Sequence, residues 1–135
     1  MINDFKLVDG VWKWNTHNLY GEDMETLIEE VWETVPITDV PVKVLLDQYE
    51  SMVLELSDKE VELLTLKEYI QSESFHIETT FDFKEAYGKN NADIRKQHIK
   101  SELADVFDKV QSLELSINWI KSYIPLVKEV IRVKQ

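Results

Sequence analysis

Histidines set beside carboxylates are the first residues in this 135-residue chain whose types and spacing could do chemistry. His98 and Glu102 stand at i and i+4, one helical turn apart, and His76 lies two positions before Glu78. Zinc needs three or four converging ligands, and neither pair is completed by a His-Glu-x-x-His pattern or a cysteine cluster. The chain has no cysteine, which excludes disulfides and thiolate sites and removes the commonest soft nucleophile. No Gly-x-Ser-x-Gly elbow occurs, and three histidines leave little choice of base. Gly10, Gly21 and Gly88 lie too far apart to cradle a phosphate. The expectation is a protein without catalytic residues, metal or cofactor.

Charge carries more information. The formal net charge is −11, and residues 1–75 hold 17 acidic against 5 basic side chains, whereas residues 76–135 hold 9 against 10. Six of the acids, Glu22, Asp23, Glu25, Glu29, Glu30 and Glu33, fall in one short segment. Placed on a helix, with Asp47, Glu50, Glu55, Asp58, Glu60 and Glu62 on the next, they could imitate a phosphate array and occupy a partner's basic groove. The plainer reading is a solvated face. A second cluster has the opposite sign. Lys84, Lys89, Arg95, Lys96 and Lys100 interleave with Phe81, Phe83, Tyr87 and His98, a mixture able to stack bases and neutralise phosphates. The alternative there is aromatic packing with solubilising lysines.

Two apolar heptad ladders must position these groups. One reads Leu45, Tyr49, Met52, Leu56, Lys59, Leu63, Leu66 and Ile70. The other reads Ile99, Leu103, Val106, Val110, Leu113, Ile117, Ile120, Ile124, Val127 and Ile131. Steps alternating four and three predict two long helices, residues 42–86 and 91–134, folded back as an antiparallel coiled-coil-like hairpin about a turn at residues 87–91. Pro125 predicts a kink or brief break in the second. Residues 72–83 also carry strand-like alternation, so their state stays open between helix and strand.

Ahead of the ladders, Asp9-Gly10 between Phe5-Lys6-Leu7-Val8 and Val11-Trp12-Lys13-Trp14 predicts a type I′ β-hairpin within residues 1–19, closed by a polar connector at residues 16–18. Two strands alone are marginal in water, so this hairpin needs further support. Met24, Leu27, Ile28, Val31, Trp32 and Val35 fall at i, i+3, i+4, i+7, i+8 and i+11, which predicts a short helix over residues 20–35, then a linker at 36–41. The expected fold class is therefore mainly α, one domain, with the β-hairpin and short helix at the open end of the long hairpin.

The segment DFKEAYGKNNADIRK, residues 82–96, with long helices on either side, resembles small acidic helical-hairpin proteins of Gram-positive phages and prophages. That resemblance covers residues 42–135 and implies phage roles: modulating a host factor, inhibiting host defence, or assisting recombination. With it, the sequence reads as a non-enzymatic module that binds a host protein through its acidic surface, the sharpest version being an inhibitor of a nucleic-acid-handling system such as a CRISPR effector. The alternatives are a recombination or replication accessory that touches nucleic acid at the basic aromatic tip, and a structural virion or scaffold component. Leu46, Val53 and Leu64 beside the first ladder suggest self-association as a dimer. No apolar run approaches the roughly eighteen residues that span a bilayer. A cytoplasmic protein with no membrane partner is expected.

Overall fold

The structure is a computed structural model that describes residues 4–135. It is mainly helical, 67% of the chain, with a three-stranded antiparallel sheet at the N-terminus and four helices. Two compact units form. The first runs to Ser51 and takes in Pro125–Gln135, and the second is Met52–Ile124.

In the first unit, strands β1 (Phe5–Val8), β2 (Val11–Tyr20) and β3 (Leu27–Thr34) lie in the order β1-β2-β3. Asp9 (φ 51°) and Gly10 (φ 78°) both take the left-handed conformation that a type I′ turn requires, and Val8 pairs with Val11 across it. The rest of the N-terminal expectation is corrected. Residues 20–35 form no helix: Gly21 and Asp23 turn the chain, and β3 runs back along β2 from Leu27 to Thr34. Thr26, Ile28, Val31, Trp32, Thr34 and Val35 are β-branched or aromatic, and they supply the third strand that a two-stranded hairpin lacks. Residues 16–18 are likewise strand, not connector. β2 carries a bulge there, and the Thr16 hydroxyl donates to the Val31 carbonyl at 3.2 Å. The extra residue puts Asn15 and Asn18 on the same face, so the buried Asn15 amide donates to Asn18 at 2.8 Å.

Residues 36–41 hold one 3₁₀ turn, Ile37–Asp39. Trp12, Val40, Leu45, Val127 and Ile131 are the buried apolar residues of this unit. Burial contributes about 1.5–3 kcal/mol for each large apolar side chain. The Lys134 ammonium donates to the Val40 carbonyl within the same unit.

Helix α1 (Val42–Thr80) runs through the first ladder. The helix expected to residue 86 stops six residues earlier. Thr79 and Thr80 turn their hydroxyls onto the His76 carbonyl, and Asp82 caps a separate short helix, α2 (Phe83–Tyr87), by accepting the Glu85 N–H at 2.9 Å. Residues 72–80 are thus helical rather than strand. Gly88 (φ 85°) then ends α2 in a conformation that favours glycine, and Asn91, buried, donates to the Gly88 carbonyl at 2.7 Å.

The second ladder is also divided. Helix α3 (Ala92–Glu102) ends at Leu103, and α4 (Ala104–Lys134) passes Pro125 without interruption. Of the kink or brief break expected at Pro125, the break is absent there, and the interruption of the ladder falls at Leu103. No glycine or proline marks the spot; it coincides with the burial of Leu103 in a cluster with Phe83 and Ile99, against which Ile70, Ile77 and Phe107 pack. Ladder positions are otherwise the less exposed residues along α1 and α4, with Leu45, Met52, Ile117, Ile120 and Val127 at 5% exposure or less. Lys59, the charged rung, keeps its stem partly covered and its ammonium 3.7 Å from Glu55. Lys67 pairs with Glu114 and Lys121 with Glu60, each at 3.6 Å.

Candidate binding surfaces

The six acidic residues proposed from sequence do not form one helical array. Glu22, Asp23 and Glu25 lie in the β2–β3 turn, and Glu29, Glu30 and Glu33 lie on β3. Strand alternation sends Glu29 and Glu33 to one face with Val31, and Glu30 to the other with Trp32. All six are exposed. Residues 15–34 contain these six carboxylates and no lysine or arginine. Lys6 and Lys13, in register with Thr34, bring positive charge to the Glu30 face, so the Glu29 and Glu33 face is the more acidic one.

The turn is organised by Asp23. Its carboxylate accepts the backbone N–H groups of Thr26 and Glu25, each at 3.1 Å, and the Thr26 hydroxyl at 3.0 Å. Those donors, the Thr26 N–H first, hold the Asp23 carboxyl below its ordinary range. Met24 takes φ 61° and leaves its side chain 74% exposed. With Leu19, Tyr20, Leu27 and Ile28 also exposed, the acidic end of the ribbon has an apolar lip. Farther along β3, the Trp32 indole N–H donates to Glu30 at 3.0 Å, and the Lys6 ammonium sits 3.9 Å from the Trp32 ring centroid.

The second unit carries the basic aromatic tip. Lys89 and Arg95 line one open depression of about 550 Å³ around the start of α3, together with Asp93. Lys100 lines a different one, of about 670 Å³, with Lys67, Phe107 and Glu114. Lys84 on α2 and Lys96 on α3 are exposed. The five cations therefore do not line a single depression. The aromatic rings largely occupy each other. Phe83 is buried, Phe81 lies 4.7 Å from it, and the His98 ring sits 4.4 Å from Phe81 and 5.2 Å from Phe83. The Arg95 guanidinium covers Phe83 at 5.0 Å. Phe81 and Tyr87 keep part of their surface free.

His98 and Glu102 meet as their spacing required, with Nε2 3.9 Å from the carboxylate, and the sequence reading missed the third member of this set. The Tyr87 hydroxyl lies 3.2 Å from Nδ1 of His98. Eleven residues and a turn separate the two, so no helical spacing could have announced the pair. Among the described residues no three His, Cys, Asp or Glu side chains group as metal ligands, and no helix is long and apolar enough to cross a membrane. Compared with known proteins, the chain matches no family model, no curated protein and no solved structure.

Proposed function

We propose that the chain is a non-enzymatic protein-binding module whose acidic β2–β3 ribbon engages a basic surface of its partner. The single observation that supports this most strongly is the ribbon itself: six exposed carboxylates and an exposed apolar lip, with no lysine or arginine between residues 15 and 34. Charge of one sign beside desolvatable apolar surface is the combination that speeds encounter and then holds a complex. In line with the phage-protein resemblance of residues 82–96, the partner is a host protein of nucleic-acid handling or defence, a CRISPR effector being one instance. The compartment is the host cytoplasm.

The helical part of the reading concerns the unit Met52–Ile124. Within it, the parts of α1 and α4 are read as an antiparallel hairpin, supported by ion partners that run in opposite order, Glu60 with Lys121 and Lys67 with Glu114. Both pairs are exposed and contribute at most about 1 kcal/mol each, so they report register more than stability. Exposed Val53, Leu54, Val61 and Leu64 on α1, with Leu115 on α4 and Leu46 nearer the start of α1, favour a dimer of such hairpins. A dimeric mass at micromolar concentration by sedimentation is expected; a monomer would remove this part.

The second reading is a nucleic-acid accessory role at the tip, supported by Lys89 and Arg95 sharing one depression beside partly exposed Phe81 and Tyr87. Affinity capture from a Gram-positive bacterial lysate at moderate salt, with and without nuclease, separates the two. A specific protein retained in both arms is the expected result. Recovery only without nuclease would replace the first reading with the second.

A further inference from the structure

The free edge of β3 carries the proposal furthest. Among the described strands β3 pairs only with β2, and its residues from Leu27 to Glu30, with Glu33 and Thr34, are exposed. Two bonds fix which backbone groups face outward. The Val35 N–H donates to the Trp12 carbonyl, and the Val31 carbonyl accepts from Thr16, so residues 31 and 35 point their backbone groups toward β2. In a strand these directions alternate, so the N–H and C=O groups of Glu30, Trp32 and Thr34 point away from the sheet. Edge strands are ordinarily blunted by charged side chains, proline, bulges, a covering element or a short length. The devices on β3 are its three glutamates and the irregularity near Leu27, which repel acidic or neutral strands but not a basic one. This one has eight residues, no proline and no lysine.

The geometry points to β3 as an augmentation edge for an extended basic segment of a partner protein, which adds a fourth strand beside Glu30, Trp32 and Thr34. This rests on the protein-binding reading and names the chemistry of its occupant. Charge decides the occupant. One face of β3 presents Glu29, Val31 and Glu33, so a facing strand gains from lysine or arginine at alternate positions. The other face presents Glu30 and Trp32, whose ring already carries the Lys6 ammonium, so apolar residues of the incoming strand meet only the part of that ring left uncovered. A second copy of this chain would instead bring three more glutamates to an already acidic edge, and nucleic acid would meet carboxylates.

The test uses the full chain, ¹⁵N-labelled, and an end-blocked octapeptide of alternating lysine and valine as the probe. Amide hydrogen exchange at Glu30, Trp32 and Thr34 should slow about tenfold or more as the peptide saturates, with binding that weakens as salt rises. Glu30→Gln removes charge but keeps the N–H, whereas Glu30→Pro removes both. An outward-facing edge position tolerates proline, so the ladder to β2 should survive. Glu30→Pro should bind about tenfold more weakly than Glu30→Gln. If Glu30→Pro unfolds the ribbon, Thr34→Pro near the strand end carries the same comparison against Thr34→Val. Equal binding by the proline and control variants, unprotected outward amides, or no binding at all would overturn the edge. Lysate capture undiminished in Thr34→Pro would then leave the protein-binding reading standing without it.

Discussion

Asp23 and Met24 show how single residues shape the acidic ribbon. Asp23 is ionised with three donors on its carboxylate, and a folded-state pKa held below the ordinary value gives a stabilising contribution present above that value. The contribution is lost as pH falls through the lowered folded-state value. Acidification below the ordinary carboxylate range should therefore loosen the turn, read as faster exchange of the Gly21 N–H, which donates to the Thr26 carbonyl at 2.7 Å. Asp23→Ala should produce the same loosening at neutral pH, and unchanged Gly21 exchange would contradict it. Met24 is the opposite case. Its φ of 61° puts an L side chain in the left-handed region with nothing gained from burial. Met24→Gly is expected to stabilise by up to about 1 kcal/mol, measured as a higher thermal midpoint. The sequence displayed both residues as parts of a first helical turn. Only the positive φ and the Thr26 donors make them a hairpin turn, and neither is written in a one-dimensional pattern.

At the scale of elements, periodicity read helix along both ladders, missed the breaks that divide each of them, and read the short segment wrongly. Over some thirty residues of ladder, a 3.5-residue period cannot be confused with alternation, and ladder positions from Leu45 to Ile70 and from Ile99 to Ile131 are the covered ones. Over residues 24–35, a dozen residues rich in valine, isoleucine, tryptophan and threonine satisfy both periods, and the need of β2 for a partner decides between them. The Leu103 break was illegible because no breaker residue causes it. The tip shows what local chemistry can fix. Gly88 lies at φ 85° and ψ −171°, a region only glycine occupies readily, so Gly88→Ala should cost about 1–3 kcal/mol although a Cβ there would touch nothing. A neutral result in a denaturant titration would refute that turn. Phe83 anchors the other side of the turn against Ile99 and Leu103, and Phe83→Ala should cost about 3–5 kcal/mol by the same measurement.

The molecule as a whole divides its charge as the sequence does, with the acid in the sheet and α1 and the balance near zero beyond. The acidic residues singled out from the sequence are all exposed, but the support beneath them is a sheet ribbon rather than a helix face. That change alters what recognition requires. A helix face offers side chains alone, whereas β3 adds outward backbone groups whose direction is set by the sheet. The tip cations, by contrast, are divided between separate depressions, and their aromatic neighbours are largely engaged with one another.

The most direct measurement compares two charge-reversed full-length proteins for the partner captured by the unaltered chain. One carries Glu29→Lys, Glu30→Lys and Glu33→Lys, and the other Lys89→Glu and Arg95→Glu. Rim charges act mainly on encounter and on salt dependence. The ribbon variant should lose binding by tenfold or more, about 1.4 kcal/mol, and lose its salt sensitivity, while the tip variant binds as before. Full binding by the ribbon variant, with loss in the tip variant, would contradict the account and move the functional surface to the turn around Gly88.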